Sequence, residues 1–241
     1  MEPAEYLDTI RSSATALVDA AVAAGLDAPV PSCPDWTVAD LLAHVGRVHR
    51  WAAGNSVRSP EDGFWMGEEI EIPEPVERSG WVRDGAEALI STLDRPADEP
   101  AWTFVPPHTV AFWQRRQAQE TTMHRIDAQL AAGTADPIDP ALAADGIDEL
   151  LWLLPRRPWA GPITGNGETV HLHCTDVEGE WFIVFAPAGL QVERVHAKGD
   201  LAVRGTASDM LQWCSGRGPV EPLDVFGDAA LLATFRRATT F

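Results

Sequence analysis

Trp36-Thr37-Val38-Ala39-Asp40-Leu41-Leu42-Ala43-His44-Val45 is the stretch on which the fold turns. It ends the proline-punctuated, rigid approach Pro31-Ser-Cys-Pro-Asp-Trp36. Thr37 is suited to cap a helix through its hydroxyl, and Asp40, three residues on, can complete a capping box. Leu41, Leu42, Val45, Val48 and Ala52 then recur at helical spacing as an apolar stripe. His44 lies within that stripe's sequence, where a buried imidazole needs a polar partner. A backbone carbonyl or a neighbouring helix satisfies it, or it is a ligand reaching across a bundle.

Outward from this helix, the same periodicity predicts others. Leu7, Ile10, Ala14, Leu17, Val18 and Val22 predict a helix from about Pro3, stopped at Gly25. A Gly-, Glu- and Pro-rich loop follows over about 54–78. Helices are expected over Trp81–Leu93, Thr109–Ala132 (closed by Gly133) and Pro140–Leu154. The character then changes. In Glu168–Asp176, Val170, Leu172 and Cys174 alternate with His171, His173 and Thr175, as in a strand. Trp181–Phe185 and Leu190–Ala197 are further strand candidates, and short helices are expected near Thr206–Ser215 and Asp228–Ala238. The predicted class is α+β: an antiparallel four-helix bundle in domain 1–155, a Pro/Arg-rich linker near 155–165, and a small α+β domain over 156–241.

The chain has 241 residues, of which 45% are hydrophobic and 22% charged, which excludes a disordered or collagen-like polymer. Its formal net charge is −18. Such a chain repels nucleic-acid phosphates and anionic headgroups unless a basic patch overrides the total, and its densest basic clusters are pairs such as Arg115–Arg116. Neither a nucleic-acid nor a membrane partner is expected. No apolar run is long enough for a membrane helix, and the acidic start lacks a signal peptide's features. Cys33, Cys174 and Cys214 are odd in number and far apart, so a cytoplasmic protein without disulfides is expected.

Seven histidines are present, and His124 is the informative one. Glu120-Thr-Thr-Met-His124 spans four residues, about 6 Å of helical rise and slightly over one turn, so carboxylate and imidazole share a face. With His44 they would form a His₂Glu set. Three protein ligands with a fourth position free is the pattern of a catalytic zinc site. His49, five residues beyond His44, points about 140° away and is expected at the surface or between helices. Asp127 either accepts the free imidazole N–H of His124 or is a solvated helix charge. His171 and His173 share a strand face; they either bind a metal or, as the ordinary reading has it, line its exposed side. Cys33 is expected to be structural, with a reactive thiol as the alternative. Trp51, Trp113 and Trp152 are expected in the core or in pocket walls.

Cys33-Pro-Asp-Trp-Thr-Val-Ala-Asp-Leu-Leu-Ala-His44-Val45, followed by Glu120-x-x-x-His124-Arg-x-Asp127-Ala, resembles the mycothiol-dependent maleylpyruvate isomerase family. That family belongs to the wider group of DinB-like metal-binding four-helix bundles. Val203-Arg-Gly-Thr-Ala-Ser-Asp209 and Val225-Phe-Gly-Asp228 resemble its sterol-carrier-like C-terminal domain. The resemblance implies a divalent metal, zinc foremost, on His44, Glu120 and His124. It also implies mycothiol, a low-molecular-weight thiol, as cofactor, and a small electrophile as substrate. The implied chemistry is isomerase or S-transferase: the thiolate adds to a double bond, the bond rotates, and the thiol leaves. Maleylpyruvate's two carboxylates would want arginines, for which Arg47, Arg115, Arg116, Arg125, Arg204 and Arg237 are candidates. The alternatives are a thiol-independent metal hydrolase, a non-catalytic metal-binding protein, and a small-molecule carrier.

Overall fold

A computed structural model describes residues 1–158 and 161–239. These residues divide into two compact units, with the break after Asp136.

Four long helices build the first unit: α1 (Pro3–Ala24), α2 (Val38–Ser56), α3 (Arg78–Leu93) and α4 (Val110–Ala131). Helices α1, α2 and α3 each bury a stripe because apolar residues recur on one face, whereas α4 is enclosed on most sides, polar residues included. Leu17, Val18 and Ala21 of α1 meet Leu41, Leu42 and Val45 of α2, Val82 of α3 and Ala128 of α4 in one cluster. Burying a leucine there contributes about 1.5–3 kcal/mol. The Thr37–Asp40 capping box starts α2: the Thr37 hydroxyl accepts from the Asp40 amide, and the Asp40 carboxylate accepts from the Thr37 amide at 2.9 Å. Two turns in, Gly46 leaves room for the Trp81 ring of α3, which would stand 2.3 Å from any added Cβ. Helix α4 stops two residues before Gly133, whose φ of 107° suits glycine.

The approach to α2 is not merely rigid coil. Pro29–Val30 (β1) and Cys33–Thr37 (β2) pair antiparallel as a short ribbon, turning through Pro31-Ser32. The turn stands beside α4, where Ser32 meets Asp127.

The second unit begins at Pro137 and includes α5 (Pro140–Leu153), which packs on α6 (Ala207–Cys214). The expected boundary at 155/156 and the observed division thus differ by one helix. Prolines after Leu154 end that helix, but its apolar face serves the second unit. Of the expected linker, residues 159 and 160 lie outside the described residues.

A five-stranded sheet forms from β3 (Glu168–Cys174), β4 (Glu180–Ala186), β5 (Gly189–Glu193), β6 (Leu201–Gly205) and β7 (Asp224–Gly227), in the order β5-β4-β3-β6-β7. Strand β3 is central, antiparallel to β4 and parallel to β6. Val170, Leu172 and Cys174 are buried as the alternation requires, together with Trp181, Ile183 and Phe185 of β4. Helix α7 (Ala229–Thr239) follows β7. No helix among the described residues is long and apolar enough to cross a membrane.

Candidate metal centre

Helix α4 brings Glu120 and His124 to one face, and α2 presents His44 to them. His44 Nε2 lies 3.4 Å and His124 Nε2 3.1 Å from the same oxygen, Glu120 Oε1. One donor atom from each residue lies within 4.8 Å of the others. The spacing-based pairing and the third residue from across the bundle therefore meet at one point.

Asp127 resolves as a partner of His124, not as a solvated charge. It is fully buried, and its Oδ2 lies 2.8 Å from His124 Nδ1. Nδ1–H is donated to that carboxylate, so Nε2 is the nitrogen turned toward Glu120 and His44. The other oxygen, Oδ1, accepts from the Ser32 hydroxyl. Sequence reasoning missed Ser32, whose only local signal is its place between two prolines.

Arg116 lies one turn before Glu120, and its Nη2 is 3.3 Å from Glu120 Oε2. The carboxylate thus turns one oxygen to the histidines and the other to the guanidinium. Trp36 closes one side: its ring lies 4.9 Å from that of His44 and 6.3 Å from that of His124. The His44 side chain is 34% exposed and that of His124 only 8%, so the centre opens on the α2 side.

The electrostatics follow from this packing. Burial disfavours charge on Glu120, but hydrogen bonds from His124 and His44 and the nearby Arg116 outweigh it and hold the carboxyl well below its usual range. Burial likewise opposes charge on His124, yet its bonds to Asp127 and Glu120 lift it to about 9. Two imidazole nitrogens and a carboxylate oxygen on one point, with the Nδ1 of His124 anchored, fit a divalent borderline ion such as zinc.

His49 takes no part. It is fully buried between helices, its Nε2 3.0 Å from the Thr121 hydroxyl on α4. Cys33 packs partly buried against the bundle core. Trp113 is buried, and Trp51 meets it edge to face at 5.3 Å. Arg47, Arg204 and Arg237 are exposed, while Arg115, Arg116 and Arg125 are intermediate.

Residues 7–129 match the family described as the mycothiol maleylpyruvate isomerase N-terminal domain. Residues 141–234 match the MDMPI C-terminal domain, a stretch that takes in nearly all of α5. Among solved structures, the chain is similar to a mycothiol-dependent maleylpyruvate isomerase, with TM-score 0.61, 14% identity and 93% of each chain covered. A histidine mutant of a mycothiol-dependent maleylpyruvate isomerase aligns with TM-score 0.60 and 12% identity, again over 93% of each chain. At such identities the likeness speaks for the fold. A search of curated proteins finds no match.

Proposed function

The chain belongs to the mycothiol maleylpyruvate isomerase family, and on that premise we propose that it is a metal-dependent isomerase or S-transferase. It uses mycothiol to act on a small electrophile, with a divalent ion, zinc foremost, held by His44, Glu120 and His124. The observation that carries this reading is the meeting of both histidine Nε2 atoms on Glu120 Oε1 while Asp127 holds His124 from behind.

When bound there, the ion supplies Lewis acidity, which lowers the pKa of a thiol at its open position and makes thiolate available at neutral pH. The chain's own residues prepare that position. Asp127 fixes the His124 tautomer, and Ser32 fixes Asp127. Arg116 offsets the charge of Glu120 and keeps one of its oxygens turned away from the histidines. Trp36 excludes water from one side of the imidazoles. For an isomerisation, the sulfur adds to a carbon of the substrate's double bond, the resulting single bond rotates, and the same thiolate leaves, so thiol is neither consumed nor oxidised. For an S-transfer, the sulfur keeps its new carbon bond and the other carbon of the former double bond takes up the proton the thiol lost.

Three free thiols fit a reducing compartment, and we place the protein in the cytoplasm. Its net charge of −18 favours small-molecule partners over nucleic acid.

The test is turnover of maleylpyruvate and of simple electrophiles by the zinc-loaded chain, with and without mycothiol. Thiol-dependent turnover lost in His124→Ala supports the reading. Turnover indifferent to mycothiol points to a hydrolase, and zinc binding without turnover to a metal-binding protein.

A further inference from the structure

Strand periodicity places His171 and His173 of β3 on the face opposite Val170, Leu172 and Cys174. The β3–β4 register sets Glu180 directly across from His173. The segment after β5 brings His196 to the same spot. All four residues belong to the second unit, and none takes part in the helical centre.

Glu180 stands in the middle. His173 Nδ1 bonds its Oε1. His196 Nδ1 lies 3.1 and 3.0 Å from its two oxygens. His171 Nε2 lies 3.9 Å from Oε2, beyond hydrogen-bond reach. The His171 and His196 rings meet edge to face at 5.1 Å. One donor atom from each of the four lies within 4.8 Å of the others. Donors about 2.1 Å from a tetrahedral zinc stand about 3.4 Å apart, so small side-chain adjustments seat an ion here.

One atom sets this cluster apart from an ordinary hydrogen-bonded surface. His171 is only 7% exposed, and its Nε2 is buried without a hydrogen-bond partner while aimed at the carboxylate. A buried polar nitrogen left unpaired calls for an explanation, and an ion among the four donors supplies it.

We propose that His171, His173, Glu180 and His196 form a second divalent-metal site, selective for a borderline first-row ion such as Zn²⁺ over Ca²⁺ or Mg²⁺. Three imidazoles and one carboxylate set that preference, because the hard cations favour all-oxygen shells. Four protein ligands close the shell, as in structural zinc sites. The ion would tie together β3, β4 and the segment leading to β6. This site differs in kind from the three-donor helical centre, which keeps a position open.

The test uses the full chain carrying His44→Ala, which removes a ligand of the helical centre. Zn²⁺ is titrated against a chromophoric chelator, and Co²⁺ absorption reports the geometry. The expected result is one ion retained per chain, with tetrahedral Co²⁺ bands and a raised Tm on zinc addition. Adding His196→Ala, at a side chain 77% exposed whose loss leaves the core intact, weakens binding by at least about tenfold. His173→Ala does the same. Absence of bound zinc in the His44→Ala chain overturns the proposal. So does an affinity indifferent to both further substitutions, which would mark adventitious surface zinc. Because the helical ligand is already removed, failure of the proposed enzymatic function leaves this outcome readable.

Discussion

Asp127 Oδ2 lies 2.8 Å from His124 Nδ1 inside the bundle, one helical turn further along α4, and a hydroxyl from the β1–β2 turn holds the other carboxylate oxygen. The face that the imidazole turns to Glu120 and His44 is therefore set by a residue that itself offers no atom to the candidate centre. Asp127→Asn keeps the shape but presents an amide that can donate where a carboxylate accepts, so the Nδ1–H tautomer loses its support. Zinc affinity at the helical centre is expected to fall by about 10–100-fold, with helix content unchanged. Competition titration against a chelator measures it, and an unchanged affinity would show that the bond is only packing.

Replacing His44 and replacing His49 should have opposite consequences for metal. His44 Nε2 faces Glu120, whereas His49 Nε2 is spent on the Thr121 hydroxyl. Elemental analysis of His44→Ala should find one ion fewer per chain than wild type. His49→Gln should retain the full complement. Equal loss from both would mean that the α2 ligand is misassigned.

How much of this was legible before the fold follows from how local each signal is. The cap and stripe of α2 lie within a few residues of one another, and α2 begins at the predicted cap. The length of α4 was marked by Thr109 and Gly133, but its burial was not, because Gln114, Gln117, Thr121 and Thr122 are polar and yet enclosed. Strand β6 escaped notice because its pairing is parallel to β3, joining His171 to Ala202, and the intervening chain carries two other strands. Ser32 could not be found at all by spacing, since Asp127 lies in a different element far along the chain. Likewise, His171 and His173 showed a shared face, but Glu180 and His196 join them only through the strand register and a returning loop.

The capping box of α2 separates stability from site assembly. The Thr37 hydroxyl and Asp40 carboxylate serve amides at the first turn, while His44 lies nearly two turns further on. Thr37→Ala is expected to lower unfolding free energy by about 1 kcal/mol. Zinc stoichiometry should stay that of wild type, because the proposed ligands remain in place once the chain is folded. Denaturant unfolding gives the first quantity and elemental analysis the second; loss of metal in a folded Thr37→Ala chain would show that the helix start also aims His44.

The pH dependence of stability should carry the mark of His49. Burial pushes this imidazole down from its ordinary 6.5 to about 4; Glu120 opposes the shift, and the nearby Arg50 and His124 charges assist it. Between those two values the unfolded chain binds a proton that the native chain refuses, so stability rises with pH across that window and is lost on acidification. Above 6.5 both states hold the neutral ring and the effect vanishes. At 1.36 kcal/mol per unit, wild type should lose about 3 kcal/mol more than His49→Gln between neutral pH and about 4. Urea unfolding of the two proteins at matched pH values, with chelator present so that metal release does not contribute, isolates the difference. Parallel pH profiles would mean that His49 takes up its proton in the folded chain as readily as in the unfolded one.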